Sequence, residues 1–205
     1  MLKFVLASRN RKKIRELETF LSAISSDIQI LSLDDIGYTD EIVEDGATFA
    51  ENSLIKARVP ASLGYIGVAD DSGLEVDALG GAPGVYSARW SGEGATDEKN
   101  NAKLLDELRD VPADKRTARF KTVVTCAFPD GEYFQCDGVC EGTILTAPDG
   151  DGGFGDDPLF WSTERDKSFG SATPEEQNRI SHRGRAMRSL CLKLPEFLPL
   201  LTTNS

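Results

Sequence analysis

The sequence predicts an α/β fold, and three observations carry that expectation. Residues 3–7 form a short apolar run, Ile14, Leu17, Leu21 and Ile24 then recur at helical spacing, and residues 28–31 form a second apolar run. This order of strand, helix and strand is a βαβ unit, which implies a parallel pair with a right-handed crossover. Further on, capped helical segments alternate with a short buried strand. Residues 117–145 then hold two β-rich runs around Pro129-Asp130-Gly131, a good hairpin turn.

Taken in order, the remaining elements have local signals of their own. Thr48-Phe49-Ala50-Glu51 is a capping-box pattern that opens a helix running to about Val59, just before Pro60. Residues 66–69 are apolar and predict a short strand that ends at Asp70-Asp71-Ser72-Gly73, where Ser72-Gly73 turns the chain. Gly80-Gly81-Ala82-Pro83-Gly84 is a loop by composition, and Thr96 caps a helix whose apolar face includes Ala102, Leu105 and Leu108. After a Gly/Asp-rich stretch over residues 149–157, Thr173-Pro174-Glu175-Glu176 opens a final helical region. No internal repeat or disordered linker interrupts the pattern. Residues 1–205 read as one α/β chain with a hairpin-containing second lobe.

Composition narrows the function. The net charge of -11 argues against wholesale binding to a nucleic-acid backbone, and makes local cationic clusters stand out. No stretch reaches the roughly 18 apolar residues of a membrane span. The N-terminal apolar run is too short, and too soon followed by basic residues, for a secretory signal. Cys126, Cys136, Cys140 and Cys191 lack zinc-ligand spacing and read as buried free thiols, with Cys136 and Cys140 on one face of a strand. These features together predict a cytoplasmic protein.

Ser8-Arg9-Asn10-Arg11-Lys12-Lys13 lies between the first strand and the first helix. Cations at a helix N-terminus oppose the helix dipole, and a bound anion reverses that sign. Free amides, the Ser8 hydroxyl and the ammonium groups therefore predict a phosphate site; the alternative is that the cations are solvated and pair with Glu16 or Glu18. The segment lacks the glycine framework of a Walker loop or a dinucleotide fingerprint. Asp70 and Asp71 follow the apolar strand, and in open sheets ligands collect at the carboxyl ends of strands. Paired carboxylates beside phosphates call for a hard divalent cation, and Mg²⁺ fits. Glu44 and Asp45 could add a carboxylate to the same edge, and Lys56, four residues past Asn52, could share the site-facing side of its helix. Asp-Asp-Ser-Gly is equally a good turn, and Asp45 could be a turn residue. Phe154 in a glycine-rich loop could stack on a base or cap the core, and His182, the sole histidine, could bind a base or be structural.

Five segments together resemble the inosine triphosphate pyrophosphatase family, enzymes that clear non-standard purine nucleotides. They are residues 7–10 with Lys13; residues 44–49 with Glu51-Asn52 and Lys56-Ala57; residues 69–74; residues 79–89; and residues 152–158 joined to residues 178–183. The resemblance implies an elongated α/β fold with a mixed central sheet flanked by helices, two lobes and a nucleotide cleft, as a homodimer. It implies hydrolysis of a nucleoside triphosphate such as ITP, dITP or XTP to the monophosphate and pyrophosphate, with Mg²⁺. Carried over, Ser8, Asn10 and Lys13 hold phosphates, with Lys56 in the same substrate-binding set. Glu44 and Asp71 serve the metal, and Asp71 is also the base for water. Ser72 touches the substrate, Phe154 stacks on the base, and Asp157, His182 and Arg183 read its edge. Two positions depart from the family pattern. Asp156 stands where a second aromatic is usual, and Gln177, at a substrate-facing position, stands where a lysine is usual; Arg9, Arg11 or Lys12 are the cations able to offset that lost charge. Two other readings remain: the same reaction on another modified nucleotide, and a nucleotide sensor without turnover.

Overall fold

The computed structural model describes residues 1–153 and 155–198, with the side chains of Lys12, Pro174, Gln177 and Asn178 excepted. The chain opens with β1 (Leu2–Leu6), α1 (Arg11–Ser22) and β2 (Ile28–Ser32), then α2 (Phe49–Ser62) and β3 (Ile66–Val76). Next come α3 (Asp97–Glu107), β4 (Thr117–Ala127), β5 (Tyr133–Ile144), β6 (Phe160–Ser162), β7 (Lys167–Ser168), α4 (Pro174–Ile180) and α5 (His182–Phe197). The strands form one seven-stranded sheet in the order β2-β1-β3-β4-β5-β6-β7. Pairing of β1 with β2 and β3 is parallel, whereas β5–β6 and β6–β7 are antiparallel. The sheet is therefore mixed, as the family resemblance implied.

The predicted βαβ start is present, and it forms for the predicted reason. Leu17 and Leu21 of α1 are fully buried, while Ile14 and Ile24 pack at the margin of the same core. The hairpin is present too: Gly131 N–H donates to Phe128 O at 3.0 Å and Phe128 N–H to Glu132 O at 2.8 Å. Along β5 alternate residues are buried, which puts Cys136 and Cys140 on the inner face. All four cysteines are free thiols.

Three expectations are corrected. Asp70-Asp71-Ser72-Gly73 is not a turn, because β3 runs straight through it to Val76. Extended pairing within the sheet overrides the local turn preference of these residues. Pro60 does not end α2, which continues to Ser62; the proline sits in the last turn. There the helix comes so close to β3 that a Cβ on Gly67 would lie 2.0 Å from Ala57 O and 2.9 Å from Pro60 Cγ. On α3 the buried side chains are Asn100 and Leu104, with Leu108 following, whereas Ala102 is exposed. Of the predicted face Leu108 is fully buried and Leu105 packs against the core, so only Ala102 is displaced, and the polar Asn100 takes a core place.

The chain divides into two compact units. The first comprises Met1–Asp71, Val123–Asp137 and Ala186–Ser205; the second comprises Ser72–Thr122 and Gly138–Arg185. In the first, Phe4, Leu6, Leu17, Leu21, Val124, Met187 and Leu190 belong to one core, and Val5, Ala57 and Ala69 to another. In the second, Phe120, Phe160 and Phe169 form an aromatic cluster with Leu74, Leu104 and Leu159. Among the described residues no helix is long and apolar enough to cross a membrane.

Candidate active site

In the first unit, the turn from β1 into α1 sets the basic segment. Ser8 Oγ accepts from Asn10 N–H at 3.1 Å, and Asn10 Oδ1 accepts from Lys13 N–H at 3.4 Å. Asn10 thus caps α1, a helix with no acidic residue in its first turn. Lys13 Nζ reaches Asp70 Oδ2 at 2.8 Å, so the basic helix start and the acidic strand meet, as the sequence predicted. The parallel register explains this meeting. Leu6 pairs with Val68 and Ala7 N–H donates to Val68 O, so the two aspartates follow directly on the end of the β1–β3 pairing.

Adjacent strand residues point to opposite faces, so Asp70 and Asp71 take different ion-pair partners, although both carboxylates raise the Lys56 pKa. Asp70 meets Lys13 on α1, whereas Asp71 meets Lys56 on α2, with Lys56 Nζ at 3.2 Å from Asp71 Oδ1. The same ammonium lies 2.7 Å from Glu44 Oε2. Glu44 and Asp71, forty-four to seventy-one in the chain, therefore converge on one cationic point. The cap of α2 holds this arrangement: Thr48 Oγ1 accepts from Glu51 N–H at 3.1 Å, and Glu51 Oε2 accepts from Ala47 N–H at 2.6 Å. Asn52, buried on α2, accepts Gly46 N–H at 2.8 Å and ties down the segment after Glu44.

The electrostatics follow from burial. Burial pushes the Asp71 carboxyl above the ordinary carboxylate range, and Lys56 offsets this only in part because Glu44 adds a like charge. Burial works to lower the Lys56 pKa, but Asp71 and Glu44 outweigh it and hold the ammonium charged. Asp71 Oδ2 is buried without a hydrogen-bond donor. A buried carboxylate oxygen of this kind has the chemistry of a hard cation ligand. Among the described residues no cluster of three or more His, Cys, Asp or Glu forms a ready-made metal cage. Two carboxylates suit Mg²⁺ nonetheless, since that ion keeps waters and takes substrate phosphates as its other ligands.

In the second unit, Ser72 Oγ hydrogen-bonds Thr122 Oγ1. Asp157 is buried, and its carboxylate packs against Gly153 so tightly that a Cβ there would lie 2.2 Å from Asp157 Oδ2. Gly153 also has φ +85°, which only glycine adopts freely. Gly155 N–H donates to Asp97 Oδ2 at 3.1 Å, and Asn101 Nδ2 donates to Gly155 O at 2.9 Å, so one face of α3 grips the glycine loop. His182 opens α5 and stacks on Phe120, with ring centroids 4.9 Å apart. Arg183 is the next residue of α5 and is half-buried. Phe154 and the side chain of Gln177 lie outside the described residues.

Sequence reading missed several contributors. Arg9, counted among the cations able to replace a lost lysine, instead donates to Asp34 Oδ1, Tyr38 O and Asp40 O. No sequence signal links it to residues some thirty positions away. Asp97 and Asn101 are spaced i,i+4 on a capped helix, a pattern that marks a shared face but not its target.

The strand order and the charged edge define an α/β protein with a mixed seven-stranded sheet. The chain belongs to the Ham1 family, whose family model matches residues 4–193. A protein of Geobacter sulfurreducens named dITP/XTP pyrophosphatase is 48% identical over 191 residues, which cover 93% of this chain and 95% of that protein. A HAM1 protein structure from Coxiella burnetii superposes with a TM-score of 0.88 at 38% identity, over 96% of this chain and 100% of the other. A nucleoside-triphosphatase / dITP/XTP pyrophosphatase structure from Mycobacterium abscessus gives 0.78 at 43% identity, over 92% and 98%.

Proposed function

We propose that this protein hydrolyses non-standard purine nucleoside triphosphates, dITP, ITP and XTP, to the monophosphate and pyrophosphate. The observation that carries the reading is the convergence of Glu44 and Asp71 on one cationic point, next to the Lys13–Asp70 pair at the start of α1. The names of the relatives support the same activity. Ser8, Asn10, Lys13 and Lys56 bind phosphate oxygens. Lys13 and Lys56 are each held beside a carboxylate, which fixes the ammonium groups where negative charge accumulates. Glu44 and Asp71 are the residues to hold Mg²⁺, which when bound supplies charge neutralisation on the phosphates. Asp71 accepts the proton of the attacking water. Water adds to phosphorus, the α–β bridging bond breaks, and pyrophosphate departs with the electron pair. Phe154, Asp157, Gln177, His182 and Arg183 serve the base. A purine with a 6-oxo group is chosen over adenine through hydrogen bonds that an amino group fails to complete.

Residues 1–205 act as one two-lobed domain in this reading, in the cytoplasm, as a homodimer, with the nucleotide as ligand and no nucleic acid or membrane partner. The net charge of -11 supports the last point. The test is pyrophosphate release with Mg²⁺ from ITP, XTP, ATP, GTP, CTP and UTP at one enzyme concentration. Fast release from ITP and XTP alone is the expected result. Release from another nucleotide alone overturns the base preference and keeps the mechanism, whereas release from none replaces the enzyme with a sensor.

A further inference from the structure

We propose that Arg9 is a positioning residue that holds the Glu44 segment in place to receive the metal, an inference that rests on the metal reading of Glu44. Residues 41–46 have no regular secondary structure, and Val43 beside Glu44 is exposed. A carboxylate on such a segment must be anchored from outside, since ordering irregular backbone costs conformational entropy.

The structure supplies anchors on both sides. Before Glu44, Arg9 leaves the end of β1 and donates from Nη2 to Tyr38 O at 2.9 Å and to Asp40 O at 3.3 Å, and from Nε to Asp34 Oδ1 at 3.1 Å. After Glu44, Asn52 Oδ1 accepts Gly46 N–H at 2.8 Å. Glu44 is thus carried on the span between Asp40 and Gly46, with Lys56 holding its carboxylate at 2.7 Å. The ion pair itself is exposed, with side-chain accessibilities of 43% and 67%, and contributes little alone. The two carbonyl contacts carry the argument. A planar guanidinium can hold two carbonyls and a carboxylate together, whereas an ammonium on a flexible stem has no such fork. The location is equally specific: Arg9 lies between Ser8 and Asn10, so one turn of chain shapes both the helix start and the Glu44 segment.

Groups that orient a metal ligand change metal affinity by about 10- to 100-fold when removed. The experiment compares wild type, Arg9→Ala, Arg9→Lys and Asp34→Asn by amide hydrogen exchange over residues 41–46 and by electron paramagnetic titration with Mn²⁺. Arg9→Ala is expected to speed exchange in that segment and to weaken Mn²⁺ binding by about 10-fold or more. Arg9→Lys, which also serves if Arg9→Ala does not fold, is expected to fall well short of wild type on both readouts. Asp34→Asn, which removes only the exposed ion pair, is expected to stay within about 2-fold of wild type. Unchanged exchange over residues 41–46, or faster exchange with unchanged Mn²⁺ affinity, overturns the role of Arg9. Wild type that binds no Mn²⁺ and turns over without a divalent cation instead overturns the metal reading of Glu44, and this inference with it.

Discussion

Replacing Asp156 by Asn removes a charge that the fold holds in an unfavourable place. Burial, reinforced by the carboxylates of Asp157 and Asp97, pushes the Asp156 carboxyl from 3.8 up to about 7. A folded value above the unfolded one means that the native state binds the proton more tightly. Its stabilisation is fully present below the unfolded value and is lost as pH rises through about 7. The whole displacement corresponds to about 4 kcal/mol at about 1.4 kcal/mol per tenfold. About 3 kcal/mol of this falls between about pH 5 and about pH 8, where the unfolded carboxyl is already ionised and the folded one is losing its proton. Asn keeps the neutral form throughout. In urea unfolding followed by tryptophan fluorescence, the variant should gain about 3 kcal/mol on wild type between about pH 5 and about pH 8. Asp97→Asn, which removes one neighbouring charge, should shrink the effect. A wild-type-to-variant difference that is constant across that interval refutes the reasoning.

Three further expectations concern the site and the scaffold. Asp71→Asn should fold normally, since Lys56 keeps Glu44, while turnover falls by roughly 10²- to 10⁴-fold in a pyrophosphate-release assay. An active variant would falsify the base assignment. Gly67→Ala forces a methyl to within 2.0 Å of Ala57 O, so α2 must lift from β3 and stability should drop by about 3 kcal/mol; a wild-type melting curve contradicts that packing. Buried Arg116 donates to the carbonyls of Leu108, Val111 and Leu145. Arg116→Met should destabilise by about 3 kcal/mol in denaturant titration, and a loss well under about 1 kcal/mol would mean that water replaces the guanidinium.

Local patterns were readable wherever one element makes its own case. The βαβ start shows in the spacing of Leu17 and Leu21, the hairpin in Pro129-Asp130-Gly131, and α4 in a capping box that the structure contains in both directions: Glu176 N–H donates to Thr173 Oγ1 and Thr173 N–H to Glu176 Oε2. The reading failed where tertiary contacts outvote local preference. Asp70-Asp71-Ser72-Gly73 carries turn residues, yet strand pairing extends it, and Pro60 carries a stop signal that α2 overruns by two residues, where its ring packs close to Gly67 of β3. Of the charged site, the common edge of the basic helix start and the acidic strand was legible, because ligands collect at the carboxyl ends of strands in an open sheet. The separate fates of Asp70 and Asp71 followed only once the strand was known to continue.

The amino-acid sequence by itself determined the α/β class and the family, since periodicity, capping and motif spacing are properties of neighbours along the chain. Tertiary structure alone decided which lysine each aspartate meets, that Glu44 and Asp71 share Lys56, and that Arg9 reaches the carbonyls of Tyr38 and Asp40. Those outcomes depend on sheet register and on side-chain reach across tens of residues. Both arise from packing the whole chain, and no local window contains them.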